Sequence, residues 1–433
     1  MISITNLILV GPLICLLIAS IILTFKTNFI QFRAIPLMFR MLIKSLRSKE
    51  SSDENAIAPH KALFTAMATT IGIGNIVGPA IAVRLGGPGA LLWFLLAVIF
   101  GAATTFTEVV FAMHYRKKLA DGSFSGGPMQ YLTAAFGHWA GLLYAVFGSL
   151  LLVVWSSNHS NSLADILFQH GVSKYITASI VTVLVLVYLI AGIKSIGNLA
   201  TKIVPIKFIL YCGACLWIIW CNTPQLPEIL YLIFAGAFAP KALGAAATGY
   251  SVQQILRWGL AKGIQASEAG VGTTTLPHAQ TSYDNAFEQG VLAMASTYSV
   301  AFVCALSGLV TLLTGTWLDH TIPLGMSLIA SPFQLYFSFG MIILVVITFL
   351  SAFGTILGNA YNGSRCFLFL TKNRWLHGYH AAVGISVFLG AIFGVELIWS
   401  TSDYFIIPVA LINIAGVLYL AFRHKEVLRF KKS

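Results

Sequence analysis

Apolar residues recur along this chain in long unbroken blocks rather than in alternation, and eleven blocks approach the length that crosses a bilayer. A spanning helix needs roughly 17–25 predominantly apolar residues. The blocks fall at residues 6–24, 62–84, 90–114, 139–167, 175–193, 203–221, 229–255, 291–314, 332–358, 379–399 and 405–422. Their continuity argues against a transmembrane barrel, whose strands alternate with period two. The pattern predicts an all-α polytopic membrane protein of about eleven transmembrane helices.

Two of these blocks are poorly suited to staying plain helices. The stretch 69–89 reads TTIGIGNIVGPAIAVRLGGPG, with Gly72, Gly74 and Gly78 inside the block and Pro79 directly after. A backbone freed from helical bonds is tolerated at membrane depth only beside protein or a wet cavity. Transporters hold ions and zwitterions at such breaks. If the first block stands apart, the remaining ten form two sets of five with opposite orientation, and an inverted repeat should interrupt the first member of each. The second set opens on 229–255, which carries Gly236, Pro240, Gly244 and Gly249. The domain reading follows: an extra N-terminal helix over 1–25, a basic connection over 26–60, repeats over 61–222 and 223–423, and a basic tail over 424–433.

Composition sharpens the class. The 433 residues are 58% hydrophobic and 9% charged, against roughly 25% charged in a soluble domain. The net charge of +12 sits in alternate loops, which is the positive-inside bias and not a nucleic-acid face. It places the N-terminus outside and the C-terminus in the cytoplasm, in a plasma membrane (the inner membrane of a bacterium). The apolar run at 8–23 has no basic residue before it and Lys26 after it, which favours a retained helix over a cleaved signal. The basic stretch between Lys26 and Lys49 suits anionic lipid. Six cysteines lie mostly inside apolar blocks, where they read as small packing residues with no metal set beside them. No nucleotide-binding loop suggests a pump, and no nucleophile–base pair or metal cluster suggests a membrane enzyme. A channel is disfavoured because channels usually repeat their pore element through oligomerisation, and a non-transporting amino-acid sensor because the chain has no sizeable soluble segment.

The motifs then carry a resemblance. GIGNIVGPAIAVRLGGPGALLWF, followed by Glu108, Tyr115–Arg116 and the GGP ending at Pro128, resembles the alanine or glycine:cation symporter family, the sodium:alanine symporters. KGIQASEAGVGT at 262–273, with Pro277 and His278, is similar to that family's motif after the second broken helix. SAFGTILG at 351–358 and DYFIIP near the end also fit. The resemblance covers nearly the whole chain. It implies a leucine-transporter-type 5+5 inverted repeat with one extra N-terminal helix, and symport of a small neutral amino acid with Na+ (or H+) as the coupling ion. No other cofactor and no obligatory protein partner are implied. The chain departs from the family at Ile73, between the two glycines of the first break, at His159, where the family has a pocket glutamine, and at Asn359, where it has a tryptophan. The stretch before Glu268 reads QAS, and residues 297–302 hold no carboxylate.

Candidate residues follow from both lines. Gly72, Gly74, Asn75 and Gly78 offer the start of a half-helix, whose free N–H groups suit a carboxylate. Their bland alternative is close helix packing plus one asparagine hydrogen bond. Phe238, Ala242, Gly244 and Gly249 on the second break are expected to close the pocket, with Phe238 as an apolar wall. His159, Thr355 and Asn359 complete the substrate set by resemblance. For the cation, the resemblance implies that carbonyls near Ala68 and Ile71 pair with Ser351, Ala352 and Thr355; Ser351 and Thr355 are four apart on one helix face. Lys207 is ambiguous: it snorkels to the interface by default, or its ammonium occupies the cation site and protonation replaces sodium binding. Lys207 and His159 are therefore the candidates for proton coupling. Lys241 lies inside the second break, and Glu108 is expected to be hydrogen-bonded within the bundle or near Arg116.

Overall fold

The computed structural model describes residues 4–47, 56–119, 122–168, 170–238, 252–372, 374–393 and 395–429, the side chains of 4–10 and 395–403 excepted. The expectations for Lys241, Ala242, Gly244 and Gly249, and with them most of the second break, lie outside the described residues.

In chain order the helices are α1 (Ile4–Lys26), α2 (Ile30–Arg33), α3 (Ile35–Leu46), α4 (Pro59–Thr70), α5 (Ile73–Gly86), α6 (Gly89–His114), α7 (Pro128–Phe136), α8 (His138–Phe168), α9 (Lys174–Ile190), α10 (Gly192–Cys221), α11 (Leu226–Phe238), α12 (Val252–Ser267), α13 (Thr275–Ala279), α14 (Ala286–Leu313), α15 (Ser327–Tyr336), α16 (Gly340–Leu370), α17 (Leu376–Ile392) and α18 (Val395–Arg423). Six of the described helices are long and apolar enough to cross a membrane, and a seventh span is the bent pair α4–α5. Three shorter apolar helices, including α9 and α17, accompany them.

The first break is where the glycines put it. Helix α4 ends at Thr70, Ile71 leaves helical geometry at φ −92°, ψ 70°, and Gly72 is extended at φ −98°, ψ −175°. The two halves meet at 45°. Pro79 lies inside α5 without breaking it. It lacks an N–H, so the carbonyl four residues earlier loses its helical donor. That carbonyl belongs to Asn75, and the Cys304 thiol on α14 donates to it at 3.4 Å.

Helices α4 and α5 are surrounded by α10, α12, α14 and α16, while α8 packs along α16, α17 and α18. Small residues let backbones touch. A Cβ on Gly89 would lie 2.3 Å from the Gly236 carbonyl carbon. On α12, a Cβ at Gly259 would lie 2.6 Å from the Ala90 carbonyl oxygen and one at Gly263 2.4 Å from that of Phe94.

One end of the bundle is tied by loops. Lys117–Lys118 pairs antiparallel with Phe124–Ser125, and Ile57 bridges to the segment at Gln280–Ser282 through two backbone hydrogen bonds. Arg116 spans this collar, donating to the carbonyls of Thr281 (2.6 Å) and Tyr283 (3.0 Å) and to Asp284 (2.8 Å). Burial lowers its pKa while Asp284 opposes the shift. α3 carries Met38 and Met41 inward and exposes Phe39, Ile43 and Leu46.

Candidate functional site

The carbonyl end of α4 organises the site. A helix C-terminus leaves its last carbonyls without intrahelical donors and carries partial negative charge. Here those carbonyls are met by side chains from three directions. The Thr355 hydroxyl on α16 donates to Ala68 O at 2.9 Å. The Asn75 carboxamide reaches back across the break to Thr70 O. Lys207 Nζ on α10 donates to Ile71 O at 2.6 Å.

This corrects one expectation and refines another. Lys207 is 1% exposed and does not snorkel, because the unpaired Ile71 carbonyl offers it a partner inside the bundle. Asn75 places its amide N–H on Thr70, so it braces the two half-helices against each other.

On the other side of the break, His159 and Thr355 converge on Gly72. A Cβ there would meet His159 Cε1 at 2.9 Å and Thr355 Oγ1 at 3.2 Å. Gly72 is thus required by close approach of a ring and not by its φ. Gly74 faces open space, and Gly78 would place a Cβ 3.9 Å from the Phe94 ring. Ser351, Ala352, Thr355 and Asn359 are all buried on α16, and Ser351, Thr355 and Asn359 repeat at four-residue intervals along one face.

Buried polar atoms almost always find partners. Among the described residues, His159 Nδ1 and both ends of the Asn359 carboxamide are buried without one. Asn161 turns to α17 and its amide nitrogen donates to the carbonyls of Gly390 (2.8 Å) and Phe393 (2.9 Å), its Oδ1 being buried without a partner, while Ser160 donates to Val387 O at 2.8 Å. Asn161 thus packs on α17, and His159 lies against the break.

Phe238 is placed differently from its expected role as a pocket wall. Its side chain is 68% exposed and meets Trp93 edge-on at 5.8 Å, since α11 lies on the outer side of α6 and turns its aromatic ring outward. Two surface cavities, of about 440 and 140 Å³, also lie away from the break, the larger lined by Lys26, Arg33 and Arg429.

A second polar cluster was only partly anticipated. Glu108 is buried, and Asn413 donates to its carboxyl at 2.5 Å while also donating to Gly270 O at 2.8 Å. Arg116 is engaged elsewhere. The loop after α12 is clasped from several sides: Tyr144 donates to Val271 O at 2.8 Å, Asn362 to Thr273 O at 3.3 Å, and Thr273 to Glu268 at 2.9 Å. Gly272 in this loop has φ +85°, and a Cβ on it would lie 2.6 Å from Pro128. The GIQASEAGVGT motif marked the loop, but nothing in its spacing named Tyr144, Asn362 and Asn413 as its partners.

An apolar helix long enough to span a membrane is thus broken near its middle, with a helix C-terminus and a helix N-terminus facing each other across the bend. The chain belongs to the sodium:alanine symporter family, whose model matches residues 1–432. It is 33% identical over 401 residues to an uncharacterized transporter of Haemophilus influenzae, covering 91% of this chain and 87% of that protein. It is 30% identical over 426 residues to the sodium/alanine symporter AgcS of Methanococcus maripaludis, covering 95% and 92%. The fold is similar to that of MhsT solved in complex with L-phenylalanine, with a TM-score of 0.64 at 12% identity over 89% of this chain and 94% of that one. The protein is a multi-pass membrane transporter and not an enzyme, in a family of cation-coupled amino-acid symporters.

Proposed function

We propose that this chain imports a small neutral amino acid, with alanine or glycine as the default substrate, and that the site at the first break binds it. The observation that carries this reading is the convergence of His159, with its unpartnered Nδ1, and Thr355 on Gly72; Asn359, also unpartnered, lies one turn beyond Thr355 on α16. The N–H groups that open α5 would seat the substrate carboxylate, and His159 and Asn359 would supply polar contacts that the folded chain leaves unused. Small residues on the second break, Ala242, Gly244 and Gly249, would close the pocket.

Eleven spans in two inverted repeats, after an extra first helix, would carry this site, with the N-terminus outside and the C-terminus in the cytoplasm. The cation would sit at the carbonyl end of α4 against α16, where Ala68, Ile71, Ser351, Ala352 and Thr355 lie. Ion and substrate would then stabilise one closed state together, each raising affinity for the other. The basic connection over residues 26–60 would rest on anionic lipid. A second reading, transport without sodium at this site, is favoured by the contact of Lys207 with Ile71 O.

Uptake by proteoliposomes of a panel of labelled amino acids, under separate sodium and pH gradients, tests the proposal. Concentrative uptake of alanine or glycine under either gradient supports it. Binding without any gradient-driven uptake would sink the symporter reading.

A further inference from the structure

Lys207 sits two residues after Pro205 in α10, on the face turned to α4 and α16. Its Nζ donates to Ile71 O at 2.6 Å. A Cβ added at Gly354 on α16 would lie 3.9 Å from Nζ and 3.7 Å from the Ala68 Cβ. Nζ thus occupies the junction of α4 and α16, beside the carbonyl that Thr355 already engages at Ala68. Among the described residues it forms no salt bridge to a carboxylate, so the freed carbonyl of the break is its polar partner.

A sodium ion held by Ile71 O would need the place the ammonium holds. Both are monovalent cations, and both satisfy the partial negative charge at the end of α4. They cannot share one carbonyl at hydrogen-bonding range without strong like-charge repulsion. The lysine differs in being tethered: it brings the charge with the chain and needs none from solution.

We propose that the Lys207 ammonium is the resident cation of this site, so that substrate binds here without Na+ at Ala68, Ile71 and Thr355. The proposal rests on reading the break as the binding site, and it takes the second reading above, with Lys207 in place of a sodium ion at Ala68, Ile71 and Thr355, which sets this chain apart from the sodium coupling that its family's name carries.

Thermal unfolding of the purified full-length protein tests it without any substrate. Wild type should give the same Tm in sodium chloride and in choline chloride of equal concentration. Lys207→Met, which keeps the length and removes the charge, should gain a saturable rise of about 2 °C or more with sodium. That gain should disappear in Lys207→Met combined with Thr355→Val. A saturable sodium response in wild type that Thr355→Val abolishes would overturn the proposal. So would a folded Lys207→Met that ignores sodium. Lys207→Gln serves if the Met variant does not fold, and the comparison of wild type with Thr355→Val decides if neither does. Binding of labelled alanine and glycine, measured in both salts, separates the two claims. If neither amino acid binds in either salt, the substrate reading fails while the sodium result still stands.

Discussion

Gly72→Ala is the most direct probe of the break, because its backbone conformation tolerates alanine. At φ −98°, ψ −175° the residue is extended, so the substitution acts only through the methyl group. That methyl would lie 2.9 Å from His159 Cε1 and 3.2 Å from Thr355 Oγ1. Ordinary carbon contacts begin near 3.5 Å, so the ring must give by about 0.6 Å. Overpacking of this kind costs about 1–3 kcal/mol. His159 Nδ1 has no partner holding it, so the ring yields before the backbone does, and it yields within the proposed substrate space. The cost therefore falls on binding more than on folding. At 1.4 kcal/mol per tenfold, affinity should drop roughly 5- to 150-fold. Equilibrium binding of labelled alanine and glycine to purified protein reads this directly, with thermal unfolding as the control. Unchanged affinity in folded Gly72→Ala would refute the placement of substrate at this convergence.

Asn161→Leu strands the carbonyls of Gly390 and Phe393 and should cost about 1–3 kcal/mol of stability, read as a lower Tm with substrate affinity retained. His159→Ala should show the opposite pattern. Thr355→Val keeps the shape but removes the donor to Ala68 O; it should destabilise by about 1–3 kcal/mol, and Thr355→Ser should retain most of the wild-type Tm. In the collar, Asp284 is 94% exposed, so Asp284→Ala should shift stability by less than about 0.5 kcal/mol. Arg116→Lys should cost more in a melting experiment, because an ammonium cannot reproduce the guanidinium fork across Thr281 and Tyr283.

Much of the fold was legible because bilayer insertion enforces a coarse rule: long apolar blocks must be helices with internal hydrogen bonds. The first break was legible too, since Gly72 and Gly74 interrupt such a block, and the structure bends there. The side chains that serve the break were harder to read. Asn75 resembles a ligand in sequence, yet its amide repairs the interruption that the glycines create. His159 and Asn161 are two apart and equally polar; only the position of α17 shows which one is engaged there. Lys207 was ambiguous for a physical reason. A lysine one turn inside an apolar block reaches water unless something in the bundle competes for it, and the competing carbonyl lies 136 residues earlier in the chain. Phe238 read as a wall because it adjoins the second interruption, but its exposure depends on which side of α6 receives α11.

The backbone contacts of Gly89, Gly259 and Gly263 have a consequence in heredity. Every coding change at a glycine codon adds at least a Cβ. At these three positions the first atom that Cβ meets belongs to a neighbouring main chain and not to a side chain that could be shortened. A second mutation elsewhere therefore cannot make room by trimming the neighbour. These codons should tolerate little beyond synonymous drift, and a saturation library selected for transport should leave them nearly empty. The same positions join α6 to α11 and α12 and flank the break without touching it. Mutational intolerance along this chain will thus mark seams between helices as strongly as it marks the site, and a map of lost function read alone would confuse the two.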